Sequence, residues 1–403
     1  MYENLAVLAL FAFAYSVVAD RLGRTPVNGA VVYIAFGVIA GPVGLGLLDI
    51  SIGSEGIRLV AELTLALVLF SDASNADLAV VRRTLRLPGR LLLIGLPLTI
   101  LLGVGAGVLL FPEMALIEIA ILATMLAPTD AALGKAVVTN PAVPAPLREG
   151  LNVESGLNDG ICVPILFTFL ALASHSAGGE STGALAVGLV AKEIGIGAGI
   201  GIGLTFVAAR ALRATAQRGW IAEPWVGIPV VALAFGCFTL TQFAGGSGFI
   251  ACFTGGLMFG ALAKEHKHAV LEGAEATGEA FSMITWIIFG AAVVFNHPGT
   301  VDWRVVVYAV LSLTVVRMLP VFLCLSGLGV RTDAKLFIGW FGPRGLASIV
   351  FGVIVLGANL PGGGTIIATT VVTVTLSVLV HGLTANPFAA VFARRVKSEP
   401  GGA

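Results

Sequence analysis

One apolar segment of this chain contains the sequence Glu154-Ser155-Gly156-Leu157-Asn158-Asp159-Gly160. Apolar residues flank it on both sides, so two carboxylates and an amide lie at membrane depth if the segment spans a bilayer. A charged side chain at the centre of a bilayer costs at least about 2.5 kcal/mol, and such residues usually mark the path of an ion or a proton. The segment therefore predicts a membrane protein that moves a cation, a proton or both.

The composition of the whole chain indicates a polytopic membrane protein. Hydrophobic residues make up 57% of the 403 residues and charged residues 11%, and the mean hydropathy is +0.99. A soluble domain carries about 25% charged residues. The formal net charge of zero argues against a surface for nucleic acid, and the four cysteines have no metal-ligand spacing. We therefore expect an all-α chain whose partners are the lipid bilayer and the ions that the protein transports. We expect no cofactor.

Apolar runs of spanning length, separated by charges, glycine and proline, predict about 13 transmembrane helices. Their approximate limits are 3–19, 27–43, 58–73, 91–110, 114–139, 149–173, 184–210, 225–243, 249–263, 279–296, 303–326, 336–358 and 364–392. With the N-terminus outside, most of the 23 Lys and Arg residues fall in cytoplasmic loops and in the C-terminal tail. The expected location is the inner cell membrane, with the C-terminus in the cytoplasm. The charged segment around His266 and His268 is expected to be a cytoplasmic loop.

Two of the predicted helices are interrupted. The fifth contains Ala127-Pro128-Thr129-Asp130, and the twelfth is broken by Gly339 and by Gly342-Pro343-Arg344-Gly345. If the seventh span is set aside, these are the fifth helices of two six-helix halves with opposite topology. Paired interruptions at corresponding positions of inverted repeats indicate the site of a secondary transporter, and two ordinary proline kinks are the alternative.

Interrupted helices place partly charged helix ends inside the membrane, positive at the N-terminus and negative at the C-terminus. Asp130 is suited to offset a positive end and Arg344 a negative end. We expect this compensating role for Arg344, whereas Asp130 either compensates or faces the transported cation.

Two of the charged side chains are predicted to lie at similar depth in the membrane and to pair, which leaves one carboxylate for transport. Glu154 and Arg317 both fall in the inner half of the membrane and are expected to form a buried structural ion pair, with snorkelling of Arg317 as the alternative. Asp159 is then the carboxylate left to bind a cation. Ser155 lies four residues earlier on the same helix face, and the Thr129 hydroxyl or carbonyl supplies another oxygen ligand for a hard alkali cation.

A single carboxylate that accepts either one proton or one monovalent cation predicts a simple exchange cycle. Either loaded form of Asp159 is neutral, whereas the empty carboxylate is a charge that must cross a low-dielectric barrier. The loaded forms cross and the empty form does not. The result is one-for-one exchange without net movement of charge.

These motifs resemble those of the monovalent cation:proton antiporter-1 family, in particular its prokaryotic NhaP-type sodium/proton antiporters. The matching pieces are Pro128-Thr129-Asp130, Asn158-Asp159, Arg317, Gly342-Pro343-Arg344-Gly345 and, in the third helix, Leu69-Phe70-Ser71-Asp72-Ala73. The resemblance covers nearly the whole chain in the same order. It implies that helices 5 and 12 cross, and that the Asn158-Asp159 pair belongs to the cation and proton site and marks the electroneutral branch.

The resemblance also implies a division into two domains and assembly as a homodimer. The expected segments are 1–73 and 225–296 for dimerisation, 91–173 and 303–392 for the ion-transport core, 184–210 for a linker helix and 393–403 for a short cytoplasmic tail. Asp72 is a candidate for an access funnel on the cytoplasmic side, with a solvated aspartate at a helix end as the alternative.

The leading interpretation is antiport of Na⁺ or Li⁺ against H⁺, and K⁺/H⁺ antiport with the same fold is the alternative. A cation channel is less consistent with the sequence, because one unrepeated Asp159 does not form a ring of ligands around a pore. A cation-binding membrane protein without transport and a membrane enzyme are also disfavoured, since no signalling domain, metal cluster or nucleophile–base pair is evident. We therefore expect no enzymatic activity.

Overall fold

The computed structural model of the protein describes residues 2–23, 25, 27–48, 55–76, 86–130, 133, 137, 143–176, 183–222, 225–263, 267–292 and 301–397. Within these residues the regular structure is helical and there is no β-strand. The helices, labelled in chain order, are α1 (Tyr2–Gly23), α2 (Gly29–Ala40), α3 (Glu55–Asn75), α4 (Arg86–Leu110), α5 (Leu116–Met125), α6 (Ala145–Ser176), α7 (Gly183–Gln217), α8 (Ile228–Phe243), α9 (Gly248–Leu262), α10 (Lys267–Ala292), α11 (Trp303–Cys324), the two half-helices α12a (Thr332–Trp340) and α12b (Leu346–Gly357), and α13 (Gly363–Lys397).

The predicted spans correspond to these helices in order, and the all-helical membrane fold is confirmed. Among the residues that the structure describes, six helices are long and apolar enough to cross a membrane, and they belong to α1, α4, α6, α7, α11 and α13. α5 and α12b are among the shorter apolar helices, as expected for parts of interrupted spans. The helix order contains two sets of six, α1–α6 and α8–α13, with α7 between them.

Both predicted interruptions are present. Helix α5 ends at Met125, and residues 126–130 are not helical. Residues 341–345 separate α12a from α12b in the same way. Each interruption contains a proline, Pro128 or Pro343, which lacks a backbone donor and disfavours helix at the preceding residue.

One expectation about the interrupted helices is corrected by the structure, and another lies outside the described residues. The predicted break at Gly339 is wrong, because α12a continues through it to Trp340. A Cβ on Gly339 would lie 3.2 Å from the Cα of Met318, so this glycine serves close packing. The second half of the fifth span lies largely outside the described residues.

The charged segment predicted as a cytoplasmic loop is helical from Lys267, where α10 begins. It includes His268, while His266 lies outside the described residues. Leu271 and Ala274 are buried at 1% and 0% exposure, three residues apart. The apolar stripe on this segment therefore packs as an amphipathic helix despite its charges.

Helix α11 contains an interruption at Thr314 that the sequence did not predict. The backbone of Thr314 has φ −112° and ψ −94°, far from helical values. No glycine or proline lies next to this residue. The carbonyl of Ser312 instead accepts a hydrogen bond from Arg344 at 3.3 Å, so a contact with a distant residue stabilises the interruption.

The chain forms two compact units. The first comprises Met1–Arg58, Arg86–Ser155 and Met283–Ala403, and the second comprises Leu59–Leu85 and Gly156–Ser282. In the first unit α11 and α12b pack along α13, and α5 packs against α4. In the second unit α7 packs closely against α9. The division into a core and a dimerisation domain stays a prediction.

Candidate functional site

The two interrupted segments cross each other within the first unit. The backbone N–H of Asp130 donates to the carbonyl of Pro343 at 2.9 Å, and the Ser348 hydroxyl donates to the carbonyl of Met125 at 2.8 Å. Each segment thus supplies partners for backbone groups that the other broken helix leaves unsatisfied. Non-helical backbone at membrane depth is tolerated only where protein or a water-filled cavity surrounds it.

Arg344 binds the ends of two interrupted helices. Its side chain is fully buried, with 0% exposure. Nη1 donates to the carbonyl oxygens of Ala127 and Pro128, just beyond α5, at 2.9 and 3.2 Å. Nη2 donates to the carbonyl of Ser312, just before the α11 interruption, at 3.3 Å. Because the C-terminal end of a helix is partly negative, this position stabilises the guanidinium and suits the compensating role expected of Arg344.

Asp130 contacts the opposite half-helix. Its Oδ2 accepts a hydrogen bond from the backbone N–H of Leu346, the first residue of α12b, at 3.0 Å. A side chain on the preceding residue, Gly345, would collide with the Asp130 carboxylate, so glycine permits the close approach. A carboxylate at a helix N-terminus is stabilising by about 0.3–2 kcal/mol. The geometry is that of a helix cap, and a direct contact of Asp130 with a cation stays a prediction.

Glu154 of α6 and Arg317 of α11 form a buried ion pair. Nη1 donates to Oε1 at 2.5 Å and Nη2 to Oε2 at 2.8 Å, and each residue is 1% exposed. This bidentate geometry neutralises both charges away from water. A side chain on Gly342 would collide with the Arg317 guanidinium, so the pair lies beside the α12 interruption. Such burial contradicts the alternative in which Arg317 snorkels to the membrane surface.

Two of the predicted cation ligands are in contact. Thr129 Oγ1 and Ser155 Oγ are 3.0 Å apart, and the residues are 2% and 7% exposed. Thr129 directly precedes Asp130, so the crossing of the two interrupted segments sets its position. Among the residues that the structure describes, no group of three or more His, Cys, Asp and Glu side chains could hold a metal ion.

The other predicted ligands, Asn158 and Asp159, lie further along α6 in the second unit. They are 1% and 8% exposed. Since α6 is one continuous helix, Ser155 and Asp159 lie on the same face, four residues apart. Gly156 packs against α3, because a Cβ there would be 3.4 Å from the carbonyl oxygen of Asp72. Asp72 itself is half-buried near the end of α3, and its role in an access funnel stays a prediction.

Three polar residues of α13 that hold the α12 interruption were not identified from the sequence. Ser377 Oγ accepts the backbone N–H of Arg344 at 2.7 Å. His381 Nε2 lies 2.9 Å from the carbonyl oxygen of Trp340, and the Trp340 indole N–H donates to Thr384 Oγ1 at 3.1 Å. The spacing of these residues by four and three along an apolar helix is the signal that could have identified them.

Glu118, in the first turn of α5, was also missed. It is 4% exposed, and its Oε1 accepts the backbone N–H of Gly362 at 2.8 Å. The carboxylate therefore joins the start of α5 to the connection that precedes α13. An acidic residue in a first helical turn is a recognisable signal, although it does not reveal the distant partner.

Comparisons with known proteins identify the family and the fold of this chain. A family model described as "Sodium/hydrogen exchanger, transmembrane" matches residues 6–391. The chain is 24% identical over 379 residues to a K(+)/H(+) antiporter NhaP2 from Shewanella sp. (strain ANA-3), covering 94% of this chain and 64% of that protein. It is 26% identical over 344 residues to a Na(+)/H(+) antiporter of Schizosaccharomyces pombe, covering 80% of this chain and 72% of that protein. The chain thus spans just under two thirds of the length of the Shewanella relative.

The fold is similar to solved structures of the sodium proton antiporter MjNhaP1 from Methanocaldococcus jannaschii. The structure at pH 8 has a TM-score of 0.72 at 20% identity, covering 97% of this chain and 98% of that one. A second structure, from an electron-microscopy map, has a TM-score of 0.80 at 19% identity and covers 99% of both chains. The predicted fold class is thereby confirmed.

Proposed function

Because the chain belongs to the sodium/hydrogen exchanger family, we propose that it is a secondary antiporter that exchanges a monovalent cation for a proton. It is a multi-pass membrane protein with the fold of a transporter. The observation that carries the proposal is the crossing of two interrupted helices, with buried Thr129 and Ser155 hydroxyls in contact beside it. Interrupted helices that meet in this way form the substrate sites of secondary transporters.

Asp159 is assigned as the carrier of both ions. The carboxylate of Glu154 binds Arg317, and that of Asp130 caps α12b. Asp159 lies on the face of α6 that also carries Ser155, so a cation bound by one is within reach of the other. We expect the Thr129 hydroxyl and the Asn158 amide to complete an oxygen-rich site for a hard cation.

One carboxylate that carries one positive charge in each direction makes the exchange electroneutral. The proton and the cation compete for Asp159, and each neutralises it. Arg344 and Asp130 offset the half-helix ends and keep their charges throughout the cycle. The loaded site then changes access from one side of the membrane to the other, and the empty, charged site does not.

The transported cation is Na⁺ or Li⁺ on this proposal, and K⁺ is the second candidate. Oxygen ligands bind all three ions, so ligand type alone does not decide between them. The Shewanella relatives, whose names specify K⁺/H⁺ antiport, favour the second candidate, and the fission-yeast relative favours the first. The cation and the proton are cargo, and the proposal requires no resident cofactor.

The proposal places the protein in the inner cell membrane with its N-terminus outside, because Lys and Arg concentrate on one side of the predicted spans. The proposal also includes assembly of the protein as a homodimer. Segments 1–73 and 225–296 would form its interface, and segments 91–173 and 303–392 the moving core.

The test is exchange by the purified chain in proteoliposomes. Outward gradients of Na⁺, Li⁺ or K⁺ are imposed in turn, and internal pH is followed with a dye, with protein-free liposomes as the control. We expect one or more of these cations to drive proton movement in the opposite direction, and the ranking of initial rates identifies the substrate. Absence of proton movement with all three cations, from a monodisperse preparation, would overturn the proposal.

A further inference from the structure

Helix α13 holds both sides of the α12 interruption. On one side, the carbonyl oxygen of Trp340, the last residue of α12a, lies 2.9 Å from His381 Nε2. On the other side, the backbone N–H of Arg344 donates to Ser377 Oγ at 2.7 Å. Ser377 and His381 contact each other as well, with Oγ and Nδ1 3.2 Å apart, and they are 0% and 1% exposed.

The chemistry of these contacts assigns one hydrogen. A carbonyl oxygen only accepts hydrogen bonds, and one lies at each ring nitrogen: that of Trp340 is 2.9 Å from Nε2 and that of Ser377 is 3.0 Å from Nδ1. We assign the hydrogen to Nε2, which donates it to Trp340, because Nδ1 then accepts from the Ser377 hydroxyl 3.2 Å away. The Trp340 indole packs with its centroid 5.3 Å from the imidazole and donates to Thr384 Oγ1. Backbone and side chain of Trp340 are therefore both bound by α13, and the end of α12a cannot shift without breaking these contacts.

The held segment leads directly to the proposed cation ligands. Pro343, between Trp340 and Arg344, accepts the backbone N–H of Asp130 through its carbonyl at 2.9 Å. Asp130 follows Thr129, whose hydroxyl lies 3.0 Å from that of Ser155. A displacement of the α12 interruption would therefore be transmitted to the hydroxyl pair.

We propose that His381 is a positioning residue of the cation site. It acts through Trp340 and the crossing segments to hold Thr129 against Ser155, and it does not itself touch the cation. This inference rests on the proposed antiport function, and it adds a role for α13, which contacts the α12 interruption. It predicts that cation affinity depends on the Nε2 hydrogen bond more than on the bulk or polarity of residue 381.

The test compares two amides that differ by one methylene. In His381→Gln the amide nitrogen is the same number of bonds from Cα as Nε2, so it can donate to the Trp340 carbonyl. In His381→Asn the shorter side chain does not reach. We expect the Gln variant to keep the cation KM of the unaltered protein, and the Asn variant to raise KM about tenfold, as for loss of one hydrogen bond. The maximal rate per reconstituted protein should change less than KM in both.

Thr373→Val is the matched control. Its hydroxyl is also buried on α13, at 0% exposure, and donates to the carbonyl of Thr369 within its own helix at 2.6 Å. We expect no change in KM. Ser377→Ala removes the partner of the Arg344 N–H and carries the test if the Asn variant fails to accumulate, with the same rise in KM expected.

The possible results separate this inference from the proposed function. Equal KM values for the Gln and Asn variants, or loss of maximal rate without a change in KM, would reduce His381 to a structural residue and overturn the inference. If the unaltered protein exchanges no alkali cation, the proposed function fails instead, and the KM comparison does not arise.

Discussion

Glu154 and Asp159 are acidic residues on the same helix, α6, and their surroundings differ. Glu154 is 1% exposed, and both of its carboxylate oxygens accept hydrogen bonds from Arg317. Asp159 is 8% exposed and shares its helix face with Ser155, whose hydroxyl contacts that of Thr129. One carboxylate thus has a fixed, charged partner, and the other shares its helix face with Ser155, a proposed cation ligand.

The difference shows that burial alone does not assign a role to an acidic residue in a membrane. A bidentate arginine neutralises Glu154 permanently, and breaking such a buried pair strands a charge. A carboxylate near hydroxyl ligands can be neutralised by an exchangeable cation or proton instead. On the proposed function, Glu154 maintains the structure, whereas Asp159 carries the ions.

The largest expected effect is loss of exchange in Asp159→Asn. The amide can neither bind a proton at physiological pH nor offer a negative charge to a cation, so cation-driven pH change in proteoliposomes should fall to the protein-free background. The folded protein should still be obtained, because the substitution removes a buried charge without changing side-chain size.

Asp302→Asn is the control for this substitution. Asp302 is exposed and caps α11 by accepting the backbone N–H of Val305 at 3.1 Å, and asparagine caps as well. Exchange should be unchanged. Substantial exchange by the Asp159 variant would remove Asp159 as the shared carrier and would make its difference from Glu154 irrelevant to transport.

The next effect is on stability. Glu154→Gln and Arg317→Met should each lower the free energy of unfolding by about 3–5 kcal/mol, because the remaining partner is left as a buried charge. Thermal unfolding in detergent measures this loss. The double variant Glu154→Leu/Arg317→Met should recover part of it, since no charge remains uncompensated.

An exposed ion pair supplies the comparison for these variants. Arg331 and Asp333 form a salt bridge at 2.9 Å with solvent-accessible side chains, so Arg331→Met should cost no more than about 1 kcal/mol. If the Glu154 and Arg317 variants are as stable as the Arg331 variant, the pair does not maintain the structure.

A smaller effect is expected from the neutral ligands. Thr129→Val and Ser155→Ala each remove one hydroxyl oxygen from the proposed site and should raise the cation KM about tenfold, with Asp159 still able to bind protons. When an imposed pH gradient drives the exchange, the rate should keep its dependence on pH. An unchanged KM in both variants would place the cation away from the contact between these hydroxyls.

The smallest expected effect is that of membrane potential, which should leave the exchange rate unchanged. Each net charge moved across about 100 mV changes the free energy by about 2.3 kcal/mol, enough to alter initial rates several-fold. Rates are compared between liposomes clamped near zero and liposomes clamped at about −100 mV. Valinomycin and potassium set the potential, once potassium has been shown not to be a substrate. A several-fold difference would identify a second titrating carboxylate, with Asp130 as the first candidate.

Much of this arrangement follows from where charges interrupt apolar sequence. Glu154 and Arg317 could be paired in advance, because a charge inside an apolar run needs a partner and both lie at similar depth. The two Gly/Pro interruptions were located for a similar reason, since proline removes backbone hydrogen bonds. The interruption at Thr314 could not be located, because its neighbours contain no glycine or proline and a distant arginine binds the Ser312 carbonyl.

Other features depended on packing that local sequence does not show. The charged segment after Lys267 was expected to be a loop and is helical, because Leu271 and Ala274 find a buried face. His381 had no assigned role until its contact with the Trp340 carbonyl was visible. The contact between His381 and Trp340 joins residues 41 positions apart in the chain.

Composition, charge spacing and proline positions were sufficient to predict an all-helical membrane protein, its order of spans and the charged residues that need partners. The folded chain alone shows which backbone groups those residues bind: Arg344 the carbonyls beyond α5, and Asp130 the start of α12b. The physical reason is that a bilayer offers no water to polar groups. The sequence therefore reveals that each buried charge and each broken helix end needs a partner, while the crossing of segments more than 200 residues apart decides which partner it has.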